Sequence, residues 1–245
     1  MIKGSIIRHI FRSFIAGFIY SICCILLLKE GIEPYYPILM IFPVIFCILS
    51  SFTISNLEFG ILSNGSEIPI TSKILWLIFS TISNMGGALL GSSLISFSIT
   101  EISEQVINKY NSIISYDNPF QLFILAMISG FILFAIFEAC VKTESLLLIL
   151  IISGLGLTFF YITNLPTFLT IFSYSYTVGF DFSILSTVLV GNFLGSLFFG
   201  SLENVAMNYY TEDEKQEMYE EAEEDQKLYE EFIKFIEEKE NKEDE

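Results

Sequence analysis

Charged residues are scarce in most of this chain of 245 residues. The first 210 positions hold 7 Lys or Arg and 11 Asp or Glu, whereas residues 211–245 hold 5 and 17. A soluble domain of this length does not leave so many long stretches without charge. Runs of about 20 apolar residues span the hydrocarbon core of a bilayer, and the uncharged stretches here reach that length. The sequence therefore predicts an all-α membrane protein that crosses the bilayer several times.

The chain also has few of the residues that catalytic and metal sites use. It has one histidine, His9, and its four cysteines lie within apolar runs (Cys23, Cys24, Cys47 and Cys140). We expect these cysteines to be buried as small apolar residues, without disulfides. The sequence contains no nucleotide-binding loop, no cluster of metal ligands and no nucleophile–base pair. It thus predicts no enzymatic activity, no cofactor and no metal.

The net charge of −16 comes mainly from the C-terminal segment. Such a balance disfavours nucleic acid as a partner, because phosphate backbones bind basic surfaces. We predict two parts, a transmembrane channel domain at 1–208 and an acidic cytoplasmic tail at 209–245. Alternating acidic residues and lysines give the tail some support as a helix, so it is predicted to be partly helical.

Six membrane-spanning segments are predicted from the positions of the apolar runs. They lie near residues 10–28, 35–62, 72–98, 119–140, 144–176 and 182–207. With the N-terminus inside the cell, five Lys or Arg outside the tail fall on the cytoplasmic side and two fall on the outer side. The positive-inside rule therefore places both termini in the cytoplasm of a multi-pass protein of the cell membrane.

A short amphipathic helix is predicted between the third and fourth spans. Ile102, Val106, Tyr110 and Ile113 follow one another at intervals of three and four residues. This spacing places them on one side of a helix, and the location between two spans predicts a helix at the membrane interface.

Two similar polar tetrapeptides interrupt the apolar runs. ISNL occupies 54–57, and ITNL occupies 162–165, 108 positions later. Asn56 lies 28 residues before Asn84, and Asn164 lies 28 residues before Asn192. The first and fourth spans also match, since FIAGFIY (14–20) resembles MISGFIL (127–133) at an offset of 113. Two repeats of three spans, about 10–98 and 119–207, are predicted, and an odd number of crossings inverts the second repeat relative to the first.

The tetrapeptides predict breaks in spans 2 and 5. Backbone that leaves helical geometry within the bilayer must be buried in protein or line a cavity. Ser55, Asn56, Thr163 and Asn164 are good N-cap residues, and each pair is predicted to restart a half-helix. Helix N-termini carry unpaired N–H groups and a partial positive charge. Two inverted half-helices would therefore attract an anion at the centre of the membrane. The alternative is that these pairs only form hydrogen bonds between helices.

Further residues are predicted to lie along this path. Asn84 and Asn192 begin segments rich in glycine and serine, where small residues let helices approach closely. An asparagine at this depth needs a partner, and we expect both to position the broken backbone first and to contact solute second. Phe52 and Thr53, beside the first break, and Phe160, beside the second, are predicted to line the path. Ordinary core or lipid contacts are the alternative for the phenylalanines.

Three segments resemble the formate/nitrite transporter family. They are FPVIFCILSSFTISN (42–56), SNMGGALLG (83–91) and TVLVGNFLGSLFFG (187–200), and the resemblance covers about 10–207. It implies an aquaporin-like fold of six spans, with one pore in each subunit of a homopentamer. It also implies passage of small weak-acid anions of the formate, nitrite, acetate, lactate or hydrosulfide class, often together with a proton.

The chain departs from the family at its titratable positions. The family carries a central histidine in the fifth span, and that position falls on Phe160, with Phe159 at the preceding acidic position. The acidic position of the second span falls on Ser51, and a lysine at the start of the fourth span falls near Asn118. Two alternatives remain open, a pore for neutral solutes and a non-conducting membrane scaffold that acts through its acidic tail.

Overall fold

The structure is a computed structural model that describes residues 2–29, 62, 69–99, 101–115, 118–143 and 145–208. The chain divides into two compact units, Met1–Ser201 and Leu202–Glu245. The described residues form helices and contain no strand. These helices are α1 (Ile2–Leu26), α2 (Ile70–Ser98), α3 (Ile102–Ile114), α4 (Pro119–Val141), α5 (Leu146–Thr163), α6 (Phe168–Val178) and α7 (Phe182–Asn208).

Four helices are long and apolar enough to cross a membrane. They are Ile7–Leu26, Ile70–Ser98, Pro119–Val141 and Phe182–Val205, and they correspond to predicted spans 1, 3, 4 and 6. Predicted span 5 is divided into α5 and α6. At about 1.5 Å per residue, the 11 residues of α6 reach only part of the way across a core about 30 Å thick. Predicted span 2, with Phe52, Thr53, Ser55 and Asn56, lies outside the described residues, as does the tail.

Local sequence sets where two of the long helices begin. The side chain of Asn118 accepts a hydrogen bond from the backbone N–H of Phe120 at 2.9 Å, and Pro119 follows as the first helical residue of α4. Asp181 Oδ1 accepts from the N–H groups of Ser183 and Ile184 at the start of α7. Both are N-cap arrangements, which satisfy N–H groups that have no partner within the helix.

Glycine and asparagine bring α1 and α2 into close contact. A Cβ atom at Gly17 would collide with the backbone oxygen of Asn84, and one at Gly87 would collide with that of Phe14. Asn84 is fully buried, and its Nδ2 donates to the backbone oxygen of Ser13 at 2.5 Å. The absence of side chains at the two glycines is therefore what lets the amide of Asn84 reach the neighbouring helix.

The same contacts recur between α4 and α7. A Cβ atom at Gly130 would collide with the backbone oxygen of Asn192, and one at Gly195 would collide with that of Met127. Asn192 is fully buried and its Nδ2 donates to Ala126 O at 2.7 Å. In these contacts the α4 residues lie 113 positions after the corresponding α1 residues, as Gly130 does after Gly17. The α7 residues lie 108 positions after the corresponding α2 residues, as Asn192 does after Asn84. These are the two offsets at which the sequence repeats.

The predicted amphipathic helix is present as α3, and its predicted apolar side is buried. Ile102, Val106, Tyr110 and Ile113 are at most 3% exposed, and they belong to the same core cluster as residues of α1 and α6. This side of α3 therefore packs against protein, and the location of α3 at the membrane interface stays a prediction. Periodicity defines an apolar side of a helix, but it does not identify what covers that side.

We expect Gly87→Ala and Gly195→Ala each to lower stability, because the added methyl group would collide with the backbone of Phe14 or Met127. Overpacking of this kind costs about 1–3 kcal/mol. Gly86→Ala is the matched control, since its methyl group would meet only the Phe14 ring at 3.5 Å. Unfolding midpoints of the purified protein in detergent measure the effect. Equal midpoints for the three variants would contradict the repeated packing.

Candidate functional site

The candidate site is the interruption between α5 and α6. Helix α5 ends at Thr163, and Asn164 follows in the left-handed conformation with φ 55° and ψ 29°. It is the one non-glycine residue with positive φ among those described. Asparagine tolerates this conformation better than most residues, and it can end a helix in this way. The predicted break at ITNL therefore lies where the sequence places it.

The second half-helix begins later than predicted. We expected Thr163 and Asn164 to be N-cap residues, but Asn164 ends α5 and the N-cap of α6 is Thr167. Thr163 is exposed, and its hydroxyl donates to Phe159 O at 2.7 Å within its own helix. The later start of α6 has a local cause. Asn164 in the left-handed conformation and Pro166 form the turn after α5, so helical geometry resumes only after Thr167.

Asn192 of α7 makes three hydrogen bonds, two to the broken backbone and one to α4. Its Oδ1 accepts from the backbone N–H of Phe168 at 2.7 Å. Its Nδ2 donates to Pro166 O at 3.1 Å and to Ala126 O at 2.7 Å. The amide thus caps α6 from another helix, a task that an N-cap side chain performs within its own helix. Polar backbone groups that have left the helix find partners here without water.

Helix α6 is enclosed by protein. Seven of its eleven residues are buried, and it contacts α1, α2 and α3. A half-helix that faced lipid at this depth would leave its first N–H groups without partners. The buried position of α6 is therefore what allows its N-terminus to lie inside the membrane body.

A buried cluster of hydroxyl groups surrounds the start of α6. Tyr20 OH lies 2.9 Å from Thr170 Oγ1 and 3.5 Å from Thr167 Oγ1. Thr167 Oγ1 donates to Thr170 Oγ1 at 2.7 Å. Sequence reasoning missed this cluster. Two threonines three positions apart, directly after Pro166, are the signal that could have indicated a helix start, but nothing in the sequence joins them to Tyr20.

Lys109 reaches the break from α3. Its Nζ donates to Asn164 Oδ1 at 2.6 Å, and burial lowers the pKa of this lysine to about 8. The resemblance places the position of the family's lysine near Asn118, and Asn118 is the N-cap of α4. Lys109 was missed because its partner is 55 positions away along the chain, and residue spacing within α3 carries no information on that contact.

The two phenylalanines beside the break have different surroundings. Phe160 is 6% exposed and belongs to the core cluster, whereas Phe159 is 45% exposed. The position where the family carries a histidine is thus occupied by a ring packed among apolar neighbours. Of the predicted path residues, the structure brings Asn164 and Asn192 to the same break, and Asn84 lies at the α1–α2 contact.

These features define an integral membrane protein with a helix broken inside its helical body. The fold is similar to that of a solved structure described as a pentameric formate channel with formate bound. The TM-score is 0.65 at 11% sequence identity, and the match covers 85% of this chain and 98% of that chain. At this identity the likeness establishes the fold alone. It confirms the predicted class, an all-α membrane protein, and agrees with the sequence resemblance at the level of fold.

The sequence comparisons add no closer relative. No protein-family model matches the chain, and no curated protein matches it by sequence.

We expect Asn192→Ala to loosen the start of α6, because the Phe168 N–H and Pro166 O would lose buried partners. Each such loss costs about 1–3 kcal/mol. Ser196→Ala is the matched control, since the Ser196 hydroxyl is buried one turn later and donates to Gly130 O at 3.0 Å and Asn192 O at 2.9 Å. Hydrogen exchange of the Phe168 amide measures the effect. Equal exchange in the two variants would show that Asn192 does not cap α6.

Proposed function

We propose that this chain forms a membrane channel for small weak-acid monovalent anions of the formate, nitrite, acetate, lactate or hydrosulfide class. The observation that carries the proposal is the break between α5 and α6, held by Asn192 and contacted by Lys109. The fold likeness to a formate channel supports it. The chain therefore belongs, in this proposal, to the formate/nitrite transporter family as a divergent member.

The break offers an anion favourable electrostatics. A bare anion pays many kcal/mol to leave water for an apolar surrounding. The N-terminus of α6 offsets part of this cost, by up to about 2 kcal/mol in a partly buried geometry. The Phe168 N–H already donates to Asn192 Oδ1. The next two N–H groups in the first turn of α6 have no acceptor within the helix. The ammonium group of Lys109 lies at the same break, where it donates to Asn164 Oδ1.

The repeated contacts support an inverted duplication. The offsets of 113 and 108 apply both to the sequence repeats and to the α1–α2 and α4–α7 contacts. With three spans in each repeat, the first break, predicted at 54–57, would approach the centre from the opposite side of the membrane. The proposed assembly is a homopentamer of six-span subunits with one conduit each. Both termini lie in the cytoplasm, and the protein lies in the cell membrane.

A proton is expected to accompany the anion. No histidine lies at the break, because His9 contacts Trp76, with ring centroids 4.1 Å apart. A weak acid can take its proton from water and cross the narrowest part as the neutral acid. The proposed conduit is thus a loosely coupled channel, in which the protein attracts the anion and water supplies the proton.

Uptake of labelled formate and acetate into proteoliposomes at about pH 5.5 and pH 7.5 tests this proposal. We expect faster uptake at the acidic pH, because a larger fraction of each substrate is protonated there. Protein-free liposomes correct for diffusion of the neutral acid through lipid. Protein-dependent uptake without pH dependence would show that the anion crosses without a proton, and no protein-dependent uptake would favour a neutral-solute pore that excludes these acids or a non-conducting scaffold.

A further inference from the structure

We propose that Leu169 and Thr170, in the first turn of α6, bind an oxygen atom of the passing solute through two backbone N–H groups and one hydroxyl group. The inference rests on the proposed function and narrows its substrate class. Acids that offer an oxygen acceptor, such as formate, acetate and nitrite, bind at this subsite, whereas hydrosulfide does not.

The hydroxyl groups of Tyr20, Thr167 and Thr170 carry one proton more than their short contacts use. Thr170 Oγ1 lies 2.7 Å from Thr167 Oγ1 and 2.9 Å from Tyr20 OH, and these contacts use two of the three protons. The other contacts are longer, 3.5 Å from Tyr20 OH to Thr167 Oγ1 and 3.8 Å from Thr170 Oγ1 to Cys24 Sγ. A hydroxyl group prefers an oxygen acceptor at about 2.5–3.0 Å, and sulfur is a weak acceptor. One proton therefore has no good acceptor within the described part of the chain.

Burial assigns this proton to Thr170. Tyr20 and Thr167 are 7% and 3% exposed, whereas Thr170 is only partly buried. A buried donor without an acceptor is costly, so Tyr20 and Thr167 both donate to Thr170, whose oxygen can accept two hydrogen bonds. Thr170 then keeps its own proton for an acceptor from outside the cluster.

Two backbone N–H groups lie beside this hydroxyl group. Leu169 and Thr170 are the second and third residues of α6, where N–H groups have no acceptor within the helix. An N-cap side chain usually accepts from one of these two positions. Thr167 is the N-cap residue, but its side chain makes no such bond and donates to Thr170 Oγ1 instead. Among the described residues, neither N–H group has a hydrogen-bond acceptor.

Three donors at one place select a solute by its acceptor atoms. The oxygen atoms of a carboxylate or of nitrite accept hydrogen bonds, whereas sulfur accepts them weakly. The double-bonded oxygen of a neutral oxyacid accepts them as well. The partial positive charge of a helix N-terminus favours the anion, but these donors bind the solute both before and after it takes up a proton. The subsite therefore holds an oxyacid at the step where its charge is lost.

Competition for the uptake of labelled formate into proteoliposomes, at about pH 6.5 on both sides, tests the subsite. We expect Thr170→Val to raise severalfold the concentration of unlabelled acetate that halves this uptake, because valine keeps the shape of the side chain and lacks the hydroxyl donor. Thr170→Ser keeps the hydroxyl group and is expected to restore the native value. The protonated fraction of acetate is the same for all proteins, so the change isolates the subsite. Hydrosulfide at one fixed concentration is expected to affect native protein and variants equally.

Thr177→Val is the matched control. Thr177 lies on the same side of α6, about two turns after Thr170, and is also only partly buried. Its hydroxyl group lies 3.3 Å from Ser96 Oγ, away from the helix start, so we expect native inhibition by acetate. Equal inhibition in Thr170→Val and Thr177→Val would overturn the subsite and leave the proposed function standing. The absence of protein-dependent uptake in the native protein would overturn both.

Hydrogen exchange of the native protein provides a second measurement that needs no variant. Saturating acetate is expected to slow exchange of the Leu169 and Thr170 amides severalfold, because both N–H groups then donate to the bound oxygen. The Ile171 amide is the internal control, since it already donates to Thr167 O at 3.0 Å. Equal slowing at all three amides, or slowing at none, would overturn the subsite.

Discussion

The fold depends on how a broken helix satisfies its backbone where no water is available. A break inside a membrane body exposes N–H and C=O groups that lipid cannot pair. Here the side chain of Asn192 pairs with one such N–H and one such C=O, of Phe168 and Pro166, while its third hydrogen bond ties it to α4 through Ala126. One amide therefore connects three separate segments of the chain. Replacing it by an apolar group would leave the break without its partners.

The short reach of the Asn192 side chain explains the close packing of the helices around it. An asparagine side chain is short, so it reaches the backbone of a neighbouring helix only when the two helices approach closely. Gly130 and Gly195 permit that approach, because a Cβ atom at either position would collide with the backbone of the opposite helix. Gly17, Gly87 and Asn84 form the same arrangement between α1 and α2. The recurrence of small residues at two offsets is thus a consequence of close contact at two asparagines.

The features that could be predicted from the sequence are those set by composition and local chemistry. Four of the six spans and the break at ITNL follow from apolar runs and from the polar residues that interrupt them. The start of α6 could not be placed, because Thr163, Asn164 and Thr167 are all acceptable caps. Which of these residues caps α6 depends on the path of the backbone through Pro166. The apolar side of α3 follows from its three- and four-residue spacing, but that spacing does not identify the neighbour that covers this side.

Lys109 shows a different limit, because its role depends on tertiary structure. In the sequence it is one of the two basic residues assigned to the outer side, and it lies within the predicted amphipathic helix. Folded, it is bonded to a residue that ends a helix 55 positions later. A lysine carried on a neighbouring helix can place charge at the break while Phe160 keeps its apolar packing. A histidine at the Phe160 position would instead bury a polar ring in the core, where it would need a hydrogen-bond partner.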